Sequence, residues 1–472
     1  MSADKVQTPE DKRPAAPDES AVRHGEPHPN TRPRTRTAAA ILLAILLLFS
    51  LLFRPVRQCH RALFPGTSPE ELAIEERVNK ILSETPLIDG HNDFPLLIRY
   101  FYKNHIYNET FSKPFEQGGT PGHVDIPRLL AGKNGGAFWS VYWSCPENGT
   151  DLSDANYAEV VKATFQQIDV VTRLKKAYPE HFSPTVNGTT ALAAFKKGQL
   201  ISPLGIEGLH QIGNSVANLR LFYALGVRYA TLNHNCPNQF ADAALWEHPM
   251  RKAPSYWGGL SPKGRQLVRE MNRIGMIVDL SHTSEETMVD VLGGGDSGED
   301  GSWEGSRAPV IFSHSSAYSL CPHPRNVPDS VLRLVKSRNS LVMVNFAPDF
   351  VSCVPSENDN GIPDFYPPNS TLAHVADHVM HIGNLIGFDH VGFGSDFDGI
   401  PTTPEGLEDV SKYPDLVAEL LRRGVSDEDA AKVVGGNLLR VWKEVDDVAL
   451  EMQAEGVAPM EDDLPALAFE DL

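Results

Sequence analysis

Cysteine is scarce: five in 472 residues, too few for a chain stapled together by disulfides. Basic charge is short as well. Sixty-one Asp and Glu outweigh 42 Lys and Arg, for a formal charge of −19. That excludes a general nucleic-acid binder, because neutralising phosphates takes a basic face. No glycine-rich dinucleotide fingerprint follows a strand-like run, which weakens an open doubly wound sheet. There is no G-x-S-x-G elbow, and no cysteine in a reactive setting, so nucleophilic serine or thiol chemistry lacks support. The acidic segment EDDLPALAFEDL carries no apolar tail of the kind a GPI signal needs.

What is present is unevenly distributed. Residues 1–61 carry ten Lys/Arg and six Asp/Glu, a balance of +4, which leaves −23 on the remainder. Residues 1–37 are rich in Pro, Ser, Thr, Arg and Glu and are expected to be a disordered cytoplasmic tail. Residues 38–53, AAAILLAILLLFSLLF, are sixteen uncharged residues between Arg36 and Arg54. About 17–25 apolar residues span a bilayer, so the run reads as a slightly short transmembrane signal anchor, with 54–67 as a stem. Four sequons follow it, at Asn108, Asn148, Asn187 and Asn369. They favour a single-pass type II arrangement with a lumenal or extracellular body.

Residues 68–455 alternate short apolar runs with longer helical patterns. The strand candidates are 86–93, 137–143, 202–208, 228–234, 276–282, 309–315, 341–346 and 390–396. Helical patterns lie between them, for example 154–177, 215–225, 261–274, 328–338 and 370–386. Eight such units predict an α/β fold, a TIM-type (β/α)8 barrel with loop insertions. Residues 294–307 read as a solvated loop, and the acidic 456–472 as a loose tail.

Active sites of such barrels sit at the C-terminal ends of the strands, and that is where the titratable residues fall. His91 and Asp93 end the first run, Glu207 the third, His234 the fourth, His282 the fifth, His314 the sixth and Asp396 the eighth. Residues i and i+2 on a strand face the same way, so His91 and Asp93 can grip one ion. Nitrogen and carboxylate ligands without cysteine suit zinc, with manganese or cobalt as alternatives. Three histidines and two carboxylates suffice for two ions if one carboxylate bridges, and such a pair hydrolyses an amide or ester without a protein nucleophile. A competing cluster, His374, His378 and His381 in HVADHVMH, has helical spacing but lacks the H-E-x-x-H pattern. It is expected on the outer ring, and His210 is expected to pack.

The motifs DGHND at 89–93, GIEG at 205–208, TLNHNC at 231–236, DLSH at 279–282, FSHSSAYSLC at 312–321, RNVPD at 325–329 and GSDFDG at 394–399 together resemble the membrane (renal-type) dipeptidase family. The resemblance runs in order from about residue 72 to 450 and implies an amidohydrolase-like barrel that hydrolyses dipeptides by a hydroxide between two zinc ions (Zn2+). It implies that His91 and Asp93 hold one ion, His282 and His314 the other, and that Glu207 bridges them. It further implies that His234 steadies the oxygen of the tetrahedral intermediate, Arg325 receives the substrate carboxylate and Asp396 shuttles the proton. Cys145 would pair with Cys236, and Cys321 with Cys353, leaving Cys59 over. A homodimer is the family expectation, without the usual interchain cysteine. The competing readings are a lactone, cyclic-amide or phosphotriester hydrolase of the same superfamily, and a non-catalytic anchored protein that keeps the fold.

Overall fold

In a computed structural model, residues 69–295, 301 and 303–464 are described. The expected anchor at 38–53, the tail and stem around it, and Cys59 lie outside the described residues. No helix among the described residues is long and apolar enough to cross a membrane.

Eight parallel strands form one sheet in sequential order. They are β1 (Leu87–Asn92), β2 (Asn134–Ser140), β3 (Leu204–Glu207), β4 (Val227–Thr231), β5 (Ile277–Asp279), β6 (Ile311–Phe312), β7 (Leu341–Val344) and β8 (Val391–Phe393). A parallel bridge between Asn92 and Phe397 joins the last strand region to the first. The Asp93 N–H donates to Phe397 O at 2.8 Å and the Asp396 N–H to His91 O at 3.1 Å, so the barrel is nearly closed. Its strands are buried on both faces and therefore read as apolar runs rather than alternating ones.

The helices between strands match the expected stretches, and two more lie before the first strand and after the last. They include α1 (Pro69–Glu84), α2 (Asp154–Ala177), α3 (Val216–Ala224), α4 (Pro262–Ile274), α5 (Leu372–Ile386) and α6 (Asn437–Ala454). Ser215 and Ser261 cap α3 and α4 by accepting from Asn218 and Gly264 N–H. The barrel interior is filled by Ile88, Phe138, Tyr229, Ile277, Ile311, Leu341 and Met343, against which Leu438, Val441 and Trp442 of α6 pack. That apolar plug leaves the opposite end of the barrel for polar side chains.

The structure departs from expectation in several places. The second strand is Asn134–Ser140, not 137–143, because the apolar Val141, Tyr142 and Trp143 continue into the loop above it. Two small hairpins, Leu245–Glu247 with Met250–Lys252 and Cys353–Val354 with Asp364–Phe365, were not anticipated. The 294–307 segment is not simply solvated. Trp303 is buried and donates its indole N–H to Asp290 O at 3.0 Å. Nor is the chain loose from 456. The Asp462 carboxylate accepts from the Val216 N–H at 2.7 Å and the Ser215 hydroxyl at 3.0 Å, and the Arg220 guanidinium donates to Met460 O at 2.8 Å. The Asp462 contacts satisfy the open N-terminus of α3, and the Arg220 contact ties the following chain to its side. Of the four sequons, Asn108, Asn148 and Asn369 are exposed and Asn187 is half-buried.

Candidate active site

The strand ends bring the predicted residues to one place. Buried Asp89 on β1 and Asp279 on β5 prepare it. The carboxylate of Asp89 accepts from the Ser395 N–H and hydroxyl, at 2.8 and 2.6 Å, and that of Asp279 from the Ser313 N–H and hydroxyl at the same distances. Each pins the end of one strand to its neighbour, where the ligand-bearing residues follow. His282 and Asp396 leave their strands with φ of 66° and 67°, a left-handed conformation that costs on the order of 1–3 kcal/mol in a non-glycine residue. It turns their side chains over the barrel mouth.

Glu207 stands at the centre. Its Oε2 lies 3.6 Å from His91 Nε2, and its Oε1 lies 3.0 Å from His282 Nε2 and 3.3 Å from His314 Nε2. His91 Nε2 is also 3.0 Å from Asp93 Oδ2. Two groups of three candidate donors result, His91–Asp93–Glu207 and Glu207–His282–His314, each with its ligand atoms within 4.8 Å of one another. They share Glu207 through its two different oxygens.

The donor set fits metal ligation in a further respect. Each of the three histidines turns Nε2 inward and has Nδ1 held by a neutral oxygen. The partners are Tyr229 Oη at 2.7 Å for His91, Asn235 Oδ1 at 2.8 Å for His282 and Ser313 Oγ at 2.8 Å for His314. A held outer nitrogen fixes tautomer and ring orientation, as metal-ligating histidines require. The Nε2 atoms of His282 and His314 face each other at 3.0 Å, and Asp93 Oδ1 is buried without a hydrogen-bond partner.

The electrostatics follow from burial and proximity. Burial pushes the Glu207 carboxyl up, but His91, His282 and His314 outweigh it and hold it well below the usual carboxylate range. Burial raises Asp93 to about 7, against the lowering pull of His91. For His282, burial and then Arg325 hold the ring well below its ordinary range, and burial lowers His314 as well.

Above the cluster is a cleft of about 440 Å³ lined by Asp93, Glu207, His234, His282, Arg325 and Asp396 among others. That is within the usual range for a small-ligand site. Arg325 is 1% exposed, yet none of its three side-chain nitrogens has a hydrogen-bond partner. Burial pushes its guanidinium down to about 10. It rests on Phe350, 5.1 Å from ring centroid, and opens onto the cleft. The carboxylate of Asp396 accepts from the Asn345 side-chain amide at 3.0 Å. His234 Nε2 is 4.0 Å from Glu207 Oε1.

The sequence profile of membrane dipeptidases, peptidase family M19, matches residues 75–456. The chain belongs to this family. Dipeptidase aclJ of Aspergillus oryzae is 46% identical over 389 residues, 82% of this chain and 84% of the relative. Dipeptidase tcpJ of Claviceps purpurea is 45% identical over 380 residues, 80% and 81% of the two chains. The crystal structure of dipeptidase AC, a metallopeptidase of family M19, aligns at 27% identity with a TM-score of 0.61, covering 76% of this chain and 98% of that one. A Rhodobacter sphaeroides metallopeptidase, solved with a phosphinate mimic of the dipeptide L-Ala-D-Ala, shares the fold at 24% identity and a TM-score of 0.60, over 76% and 99% of the chains. This chain is therefore a metallo-dipeptidase by family, with a metal-dependent barrel.

All eight residues singled out by sequence meet at the mouth of the barrel of this dipeptidase. The two expected disulfides, Cys145–Cys236 and Cys321–Cys353, are present. The helical histidines are not a metal group among the described residues. Instead His378 Nδ1 accepts from the Ala317 N–H at 3.0 Å and its Nε2 donates to Val351 O at 2.9 Å, tying the loop that carries Arg325 to the short helix Pro348–Val351 that carries Phe350. His210 is packed, with Nε2 donating to Trp143 O at 2.8 Å. Asp398 is structural, its carboxylate accepting from the His123 N–H at 2.6 Å. Sequence reasoning missed Tyr142, Asn235, Glu247 and Asn345. Only Asn235 carried a signal, inside TLNHNC.

Proposed function

We propose that this protein hydrolyses dipeptides at a centre of two zinc ions, His91 and Asp93 holding one, His282 and His314 the other, and Glu207 both. When bound, such ions polarise a carbonyl and lower the pKa of water toward neutrality. The chain's own groups supply the rest. Arg325 takes the substrate's free carboxylate, since a planar guanidinium matches it with two parallel hydrogen bonds. His234 donates from Nε2 to the oxygen of the scissile carbonyl as it gains charge. Asp396, oriented by Asn345, carries a proton to the leaving amine.

The observation that carries this reading is Arg325. A fully buried cation without a hydrogen-bond partner is costly, and a small anion entering the cleft supplies the missing partners. Dipeptides provide such an anion at a fixed distance from the amide. The same proposal has 38–53 anchoring a lumenal or extracellular catalytic body and two copies forming a homodimer. The four sequons and two disulfides of the body support that side of a membrane.

The test is to assay the purified chain against a panel of dipeptides, with zinc and with a chelator. Hydrolysis that chelation abolishes and zinc restores is expected. A folded, metal-loaded protein that cleaves none would overturn the proposal. Glu207→Gln should bind less zinc, and unaltered zinc stoichiometry would refute the shared ligand.

A further inference from the structure

Four histidines crowd the mouth of the barrel, and their outer nitrogens are treated differently. Those of His91, His282 and His314 meet neutral oxygens. His234 Nδ1 meets a carboxylate, Glu247 Oε2, at 3.4 Å. Its other neighbour there is the disulfide sulfur of Cys145 at 3.8 Å, a weak acceptor. We propose that Glu247 is the positioning residue for His234, holding the ring with Nε2 toward the reacting carbonyl.

Glu247 is itself firmly placed. It ends the first strand of the hairpin Leu245–Glu247/Met250–Lys252, opposite Met250. Its N–H donates to Asn235 O at 3.0 Å, and the Ala244 N–H donates to His282 O at 2.7 Å. The hairpin is thus tied to the loops that follow both β4 and β5. Glu247 Oε1 lies 3.2 Å from His248 Nε2, and the side chain is 14% exposed. It lines the cleft beside Tyr142, whose ring lies 4.8 Å from that of His234. Burial pushes the carboxyl of Glu247 up, but contact with His234 and His248 more than offsets this and keeps it ionised.

The chemistry asks for such a partner at this histidine in particular. A group that steadies an oxyanion accumulates positive character as it donates. A carboxylate on the far nitrogen both fixes the ring and compensates that charge, as the aspartate does in a catalytic triad. A ligand histidine has no such need, and a neutral acceptor suffices to orient it. The hairpin thereby bears on two histidines: Glu247 faces His234 directly, and its N–H holds the backbone of Asn235, whose side chain meets His282.

This inference rests on the proposed role of His234. It is tested with Glu247→Ala and Glu247→Gln in the zinc-loaded full chain, measuring kcat, KM, zinc content, Tm and inhibition by a phosphinate dipeptide analogue. Displacing a catalytic group by about 1 Å can cost on the order of 100-fold. Glu247→Ala should lose that factor in kcat, with KM within about threefold and with zinc content and Tm unaltered. The phosphinate, tetrahedral where the substrate is planar, should weaken in step with kcat/KM. Glu247→Gln, which keeps an acceptor oxygen, should recover much of the loss. A Glu247→Ala enzyme within twofold of the parent in kcat would overturn the inference alone. So would a loss confined to KM, or one explained by lost zinc or a fallen Tm. A parent that cleaves no dipeptide would take the functional reading down with it.

Discussion

Replacing Arg325 with Met should make the protein more stable and less active. The guanidinium is buried, its three nitrogens lack hydrogen-bond partners, and burial pushes it down to about 10, roughly 2.5 units below its ordinary value. The charges of Asp396, Glu207 and Asp279 already offset part of that burial cost. At 1.36 kcal/mol per unit, the residual penalty is roughly 3 kcal/mol. Methionine fills much of the same volume without a charge but gives up the contact of the cation with the Phe350 ring, worth roughly 0.5–2 kcal/mol. The net gain is about 1–3 kcal/mol, or roughly 1–4 °C in Tm for a folded unit of about 400 residues. Binding moves the other way. Truncating one partner of a buried charge pair costs about 2–5 kcal/mol, a fall of roughly 30- to 5,000-fold in kcat/KM. Calorimetry and steady-state kinetics on parent and variant check both signs. A dipeptide amide, lacking the carboxylate, should be as poor a substrate for the parent as the free dipeptide is for the variant. A lowered Tm together with kcat/KM within threefold of the parent would refute the reasoning.

Further outcomes follow from other contacts. His378 is buried, and burial holds its ring down to about 4 from 6.5. Between those values the unfolded chain binds the proton and the folded chain does not, so stability should fall as pH drops from about 6.5 to 4. His378→Gln should flatten that acid slope in urea melts; an unaltered slope would contradict it. Reducing the Cys321–Cys353 link, or replacing both cysteines with Ser, opens a loop with a sequence separation of 32 and should cost about 3–4 kcal/mol on the chain-entropy account. Thermal melts with and without reductant measure it. Asp462→Ala removes the acceptor at the start of α3 and should cost about 1 kcal/mol with kcat unaltered; a change in kcat would contradict a purely capping role.

The barrel was legible because parallel strands covered on both faces appear as short apolar runs, each followed by a titratable residue at the rim. Glu207 and His282 could be assigned to strand ends from that pattern. The edges of β2 were not, because the apolar run continues through Val141, whose N–H still bonds to Gly205 O at 2.8 Å, into Tyr142, which lines the cleft, and Trp143. The hairpin carrying Glu247 left no trace, since two strands of three residues have no period to detect. Its carboxylate is identified only by what it faces, His234, across a register that local sequence does not encode. HVADHVMH has the spacing of a metal site but lacks the H-E-x-x-H pattern, and among the described residues it is no metal group: buried His378 is consumed by the backbone groups of Ala317 and Val351.

Asp462 closes the open end of α3 from a sequence distance of 246 residues. A ribosome releases the chain from its N-terminus onward, so α3 and the strand it precedes must form without that cap. The face of the barrel around Arg220 and Glu270, which also receives the Met460 N–H at 3.1 Å, is completed only when synthesis has passed residue 462. Nascent chains stalled short of that point should hold the catalytic cluster with one wall of the barrel still unfinished, a region for chaperones to recognise.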